Sequence, residues 1–271
     1  MVSNQALSIK RLLSNKAPRH QGDHSYEAHL KELQEKMFRA QRALYQQKKR
    51  TIIVFEGLDA AGKGGAIRRV TELLDPRGFR VHPIGPPEPM DQAKHWLYRF
   101  WKRIPEPGSI AIFDRSWYGR VLVEYVELGL SKESCEEAYV AINNFEKALT
   151  QDGVTIIKFF LAISKEEQLK RFEERINNPY KQWKLQTSDI ETRKHFDEYV
   201  KAIDKMFQHT NTPAAQWHLI AGDDKHHARL RILEIITKRL KKNIEWIENK
   251  SETKKEVKTI KAALRELKAK E

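Results

Sequence analysis

Cysteine is almost missing: one residue, Cys135, stands in 271. No internal disulfide can form, and a reducing compartment is the natural setting. Cys135 reads as a packed or half-exposed helix residue, since no His or Asp pattern accompanies it as a nucleophile would need. Long apolar runs are missing too. No stretch approaches the roughly 18 apolar residues of a membrane span, and the opening MVSNQALSIKRLL has no apolar core long enough for a signal peptide. A cytoplasmic protein with no membrane partner is the expectation. Acidic residues are in deficit, 37 against 50 Lys and Arg, which gives a net charge of +13. That excess points to a polyanionic partner: nucleic acid, an anionic membrane or a polymeric phosphate. There is no internal repeat, and no low-complexity segment beyond a Lys, Arg and Glu bias from Lys238 onward. An apolar share of 40% and a charged share of 32% describe a globular protein with room for one large or two small domains.

The most informative stretch is Thr51 to Gly65, TIIVFEGLDAAGKGG. A β-branched run (Ile52, Ile53, Val54) delivers the chain to Gly57, and after four residues come Gly62 and Lys63. This is the strand, G-x-x-x-x-G-K, helix arrangement of a phosphate-binding loop. Its glycines let successive N–H groups face one anion, and the following helix adds the positive end of its dipole. Gly57, Ala60, Ala61, Gly62, Gly64 and Gly65 would supply the phosphate-binding backbone. The position after the lysine, often a metal-holding Ser or Thr, is Gly64, so Asp59 inside the loop becomes the nearest acid for a metal.

In chain order, residues 1 to about 25 show no clean period and read as an extended or partly ordered basic arm. Tyr26 to Gln47 keeps Leu30, Leu33, Met37 and Leu44 on one helical face. Beyond the loop, Asp75 to Gly78 is a turn and Phe79 to Ile84 a second strand. Asp91 is expected to cap a helix whose apolar face is Ala93, Leu97, Phe100, Trp101 and Ile104. Ile110 to Phe113 is a short apolar strand ending on Asp114, a Walker B arrangement, which puts an acid beside the cradle. Val154 to Ile163 and Gln216 to Ile220 complete the strands. Their alternation with helices predicts a parallel sheet covered on both faces, with ligands at the carboxyl ends of its strands. The charged helical region from about Ser164 to Thr210 reads as a lid. Arg171 and Arg175, four apart, share a helix face there, and Lys181 and Lys184 follow. In the tail, Val257, Ile260, Leu264 and Leu267 keep a heptad spacing that wants a packing partner.

Five ordered blocks resemble the second family of polyphosphate kinases: EGLDAAGKGGAIRR (56–69), LDPRGFRVHPI (74–84), YRFWKRIPEPGSIAIFDRSWYGRVLVE (98–124), KFFLAISKEEQLKRFEER (158–175) and KQWKLQTSD (181–189). The resemblance implies an α/β P-loop kinase fold with a helical lid, Mg²⁺ or Mn²⁺, polyphosphate as phosphoryl donor, a nucleotide as acceptor, and a homodimer or homotetramer. It divides the chain into an arm and amphipathic helix (1–50), a kinase domain (51–240) with its lid at about 164–210, and a charged C-terminal helix (241–271). No nucleic-acid partner is implied.

The family's loop pattern falls on Gly57, Asp59, Gly62 and Lys63, and its Asp-Arg pair on Asp114 and Arg115. Lys63 would take the donor's terminal phosphates, Asp59 and Asp114 the metal, and Arg115 and Arg120 the acceptor phosphate or the transferring group. Arg171, Arg175, Lys181 and Lys184 would close over the polymer, and Glu124 would contact the nucleotide. DRSWYGRVLVE is most similar to the members that phosphorylate monophosphates, so AMP to ADP is the expected direction, reversible when ADP is abundant. Val123-Glu124-Tyr125-Val126 departs from the V-E-R-V of related sequences. Two rivals share the cradle: an ATP-dependent nucleoside monophosphate kinase and a nucleic-acid-binding P-loop protein. A diphosphate acceptor (ADP or GDP) is the alternative within the family.

Overall fold

The computed structural model describes residues 7–15, 23–245 and 250–268. Two helices open it, α1 (Ile9–Ser14) and α2 (Asp23–Gln46), followed by β1 (Arg50–Gly57) and α3 (Lys63–Thr71). A 3-10 turn leads into β2 (Phe79–Pro83), then single helical turns α4 (Pro89–Gln92) and α5 (Tyr98–Trp101), and β3 (Ile110–Asp114). After a second 3-10 turn, Trp117–Val121, come α6 (Val123–Val126), α7 (Lys132–Gln151) and β4 (Val154–Ala162). The last third holds α8 (Lys165–Ile176), a 3-10 turn Gln182–Lys184, α9 (Thr187–Lys194), α10 (Phe196–Thr210), β5 (Trp217–Ala221), α11 (Lys225–Asn243) and α12 (Lys250–Lys268).

The five strands form one parallel sheet in the order β2-β3-β1-β4-β5. β1 and β4 are buried along almost their whole length, which only a sheet covered on both faces permits. α11 packs on α2 and α3, while α7 and α10 pack on each other and α1 on α10. The chain steps outward from β1 to β2, returns to place β3 beside β1, and then crosses to β4 on the other side. That reversal makes the carboxyl ends of β1 and β3 the topological switch point where α/β sheets bind ligands. In register, Phe55 of β1 lies opposite Asp114 of β3, and Gly57 opposite Leu161 of β4.

Three local expectations change. Part of the arm is helical and docked: Ile9 is fully buried, and Asp204 accepts from Ser8 Oγ at 3.0 Å and Ile9 N at 2.7 Å. The rest of the arm, residues 1–6 and 16–22, lies outside the described residues. The helix expected after Asp91 is two separate turns. His95 Nδ1 accepts from Leu97 N at 3.3 Å, so a side chain competes with the helical ladder between them. Glu88, not Asp91, occupies the cap position. Within 164–210, α10 buries Phe196, Ala202, Ile203, Met206 and Phe207 and is a core helix, so the exposed cationic segment ends before it.

Candidate active site

The loop from β1 to α3 is shaped by close approach to β4. Gly57 has φ +152, and a Cβ there would sit 2.4 Å from Leu161 O. Leu58 N donates to that same carbonyl at 3.1 Å. Ala60 (φ +60) and Gly62 (φ +103) continue the turn, and Gly62 caps α3. Lys63, the first residue of α3, folds back so that Nζ donates to Gly57 O at 2.8 Å and Leu58 O at 3.2 Å. Burial lowers its pKa, with Asp59 opposing the shift.

Asp59, Lys63, Asp114 and Arg115 line one cavity of about 670 Å³ with the loop glycines. Arg115 Nη2 donates to Asp59 Oδ1 at 3.0 Å, and Arg115 N to Phe55 O at 3.0 Å. Arg115 has φ +64, a left-handed conformation directly after the strand. Burial works against its charge, but Asp59, Glu56 and Asp114 outweigh that and raise its pKa. One residue before Gly57, Glu56 is buried and accepts from Ser116 Oγ at 2.7 Å; burial raises its pKa.

The cations of the 164–194 region divide. Arg175, Lys181 and Lys184 line the same cavity as the cradle. Arg175 Nη1 donates to Lys184 O at 3.0 Å, which ties the end of α8 to the turn. Arg171 also borders the cavity, but its guanidinium is committed to protein. Nη1 donates to Ala60 O at 2.9 Å, Nη2 to Gly222 O and Asp223 O at 2.8 and 2.9 Å, and Nε to Glu167 Oε1 at 2.6 Å. It braces the phosphate loop against the segment after β5, unlike the mobile lid cation the sequence suggests. Among the wall residues that escaped the sequence reading are Trp183, 74% exposed, and, on α11, Lys225 and Arg229. The i, i+4 spacing of the last two, just past a strand end, was the available signal.

Arg120 and Glu124 do not face the cradle. They line a neighbouring cavity of about 550 Å³ with Trp96, Arg99 and the Gly85-Pro86-Pro87 loop. Arg120 Nη1 donates to Glu124 Oε2 at 2.5 Å, its guanidinium carbon lies 5.9 Å from the Trp96 ring centre, and its buried Nε has no partner. Arg115 borders both cavities. Tyr125, at the departure from V-E-R-V, packs against the core and is absent from both walls. The 3-10 turn that carries Arg120 is anchored from below: Tyr118 Oη donates to Glu146 Oε1 at 2.7 Å, and Lys158 Nζ donates to Glu146 Oε2 at 2.8 Å, Tyr118 Oη at 2.7 Å and Thr210 O at 2.9 Å.

A parallel sheet with a glycine-rich anion loop at its switch point, an aspartate on the adjoining strand and a ring of cations defines a P-loop protein of the kinase type. The chain belongs to the polyphosphate kinase 2 family, whose model, Polyphosphate kinase 2 (PPK2), matches residues 20–248. It is 43% identical over 219 residues to a polyphosphate:AMP phosphotransferase of Acinetobacter johnsonii, covering 81% of this chain and 45% of that protein. An ADP-polyphosphate phosphotransferase of Rhizobium meliloti is 39% identical over 210 residues, 77% of this chain and 74% of the relative. A solved polyphosphate kinase 2 from Pseudomonas aeruginosa superposes with a TM-score of 0.83 at 39% identity, covering 87% of this chain and 52% of that one. One from Arthrobacter aurescens gives 0.81 at 28% identity, over 98% and 99% of the two chains. The chain spans less than half the length of the polyphosphate:AMP phosphotransferases it matches.

Proposed function

We propose that the chain moves a phosphoryl group from inorganic polyphosphate to a nucleotide, preferentially AMP to give ADP, and in reverse when ADP is abundant. The observation that carries this reading is the meeting of two cavities at Arg115. The cradle cavity offers Lys63, loop amides and the cations Arg175, Lys181, Lys184, Lys225 and Arg229. That is a large positive field for a chain of phosphates. The neighbouring cavity pairs an aromatic wall, Trp96, with Arg99 and Arg120, which suits a nucleotide: a ring for the base and guanidinium groups for a short phosphate.

Phosphoryl transfer needs alignment and charge neutralisation more than covalent chemistry. Lys63 and the loop N–H groups would hold the donor's terminal phosphates. Arg120 would set how deep the acceptor phosphate enters, and Arg115 would meet charge developing between the two. Asp114 would orient the acceptor oxygen. Asp59 and Asp114 would hold Mg²⁺ or Mn²⁺. Two carboxylates on one wall of the cavity suit a hard, oxygen-preferring divalent cation. Bound there, the metal supplies neutralisation of the phosphate oxygens. Glu124 serves by fixing Arg120, and Arg171 by holding the loop.

A diphosphate acceptor is the second reading, supported by the ADP-polyphosphate phosphotransferases among the relatives. A homo-oligomer fits the exposed apolar stripe Val257, Ile260, Leu264 and Leu267 on α12, and a cytoplasmic setting fits the lone cysteine. Among the described residues no helix is long and apolar enough to cross a membrane. An acceptor screen with polyphosphate and Mg²⁺ tests the reading, with AMP, GMP, ADP and GDP at equal concentration. AMP is expected to turn over fastest; faster turnover of the diphosphates contradicts the acceptor assignment and the role given to Arg120.

A further inference from the structure

A second concentration of positive charge lies at the opposite end of the sheet. α11 begins beside the cradle, where Lys225 and Arg229 line the donor cavity. At a rise of about 1.5 Å per residue its length carries it about 28 Å to the far edge. There it borders a cavity of about 460 Å³ next to Ile156 and Gln216, at the amino ends of β4 and β5. Four cations line that cavity, Arg231, Lys238, Arg239 and Lys242, against one carboxylate, Glu234. Glu234 is already occupied, 3.2 Å from Arg231 and 3.7 Å from His29. Lys238, Arg239 and Lys242 therefore have no carboxylate partner among the described residues.

A solvated helix face spreads its charges, whereas these converge on a concave space. His218, on the cavity wall, has its pKa pulled down to about 4 by burial and by Arg239 and Arg231. The helix dipole accounts for a cation in the last turn, such as Lys242, but not for the group. No Phe, Tyr or Trp lines the cavity, and its one aromatic ring, His218, is half-buried and already packed 5.6 Å from the Phe159 ring centre, so the wall favours a bare phosphate chain over stacked bases.

We propose that this cavity is a second subsite for inorganic polyphosphate, which holds a distal part of a long polymer while the cradle holds its reacting end. The inference rests on the polyphosphate reading above. Its function is retention: a chain long enough to reach both ends of α11 stays bound between transfers, and a short one does not. No catalytic residue is involved.

The test is the triple substitution Lys238→Gln, Arg239→Gln, Lys242→Gln, assayed with long-chain polyphosphate and with tripolyphosphate. The KM for the long polymer should rise about tenfold, and the slope of its logarithm against log salt should shrink by about two, given roughly 0.7 per neutralised phosphate on a single strand. Tripolyphosphate kinetics should match wild type, which also reports an intact fold. An unchanged KM for the long polymer, or equal changes for both donors, overturns the subsite. Loss of DNA binding with an unchanged long-polymer KM overturns it in favour of nucleic acid. A wild-type protein that uses neither polyphosphate overturns the underlying reading and the subsite with it.

Discussion

Arg115 donates to Asp59 at 3.0 Å across 56 residues of sequence, joining the end of β3 to the phosphate loop. Its backbone is left-handed at φ +64, a conformation that costs a non-glycine residue about 1–3 kcal/mol. The two facts separate function from fold. Arg115→Gly should be at least as stable to urea as Arg115→Ala, because glycine relieves the strain, yet both should lose about 10³-fold or more in kcat, the scale of a transition-state arginine. Unfolding midpoints and steady-state kinetics on the two variants check this. Comparable activity in Arg115→Ala and wild type removes Arg115 from the reaction.

The loop glycines should behave unequally. A Cβ at Gly57 would meet Leu161 O at 2.4 Å, while one at Gly64 meets nothing within 4 Å. Gly57→Ala should lose phosphate binding and at least about 1–3 kcal/mol of stability. Gly64→Ala, inside α3, should gain up to about 1 kcal/mol from helix propensity. Thermal unfolding of both variants, with and without tripolyphosphate, measures the contrast.

The buried pair Lys158 and Glu146 is expected to be needed as a pair. Both side chains are essentially unexposed, and Glu146 also accepts from Trp117 Nε1 at 3.1 Å. Lys158→Met leaves a buried carboxylate alone and should cost about 3–5 kcal/mol. The double variant Lys158→Met with Glu146→Gln should recover part of that loss, because no lone charge remains. Since Tyr118 lies in the turn that carries Arg120, the single variant should also raise the KM for AMP more than that for polyphosphate.

Stability should fall below pH 6.5 through His218. Its folded pKa is lowered to about 4 from 6.5, by burial first. Between those values the unfolded chain binds a proton that the folded chain does not, so stability drops as pH falls through the window and is unaffected above it. His218→Gln should remove this slope; urea midpoints at pH 5 and pH 8 for both proteins decide it.

Much of this site was readable in the sequence because its signals are local. The strand, glycine loop and lysine are contiguous, and a wholly apolar strand ending on Asp114 admits few other placements. All five strands lie within a residue or so of their expected positions: β1, β3 and β4 are buried on both faces and leave largely apolar runs, while the half-exposed edge strand β2 was marked by the Asp75 to Gly78 turn before it. What depended on the third dimension was hidden. Spacing placed Arg171 and Arg175 on one face, but could not tell that one would be locked on Ala60, Gly222 and Asp223 while the other stays at the cavity. Glu56 carries no local signal, because its partner Ser116 lies 60 positions away. The docked turn at Ile9 escaped because one helical turn is too short to show a period.

The central claim concerns the donor, and a donor swap tests it most directly. With AMP as acceptor and Mg²⁺ present, ADP formation is measured with polyphosphate or with ATP as the sole phosphoryl source, using wild type and a folded Asp114→Asn variant. The account predicts rapid turnover with polyphosphate, little with ATP, and none by Asp114→Asn with either. Turnover with ATP equal to or faster than that with polyphosphate would contradict it.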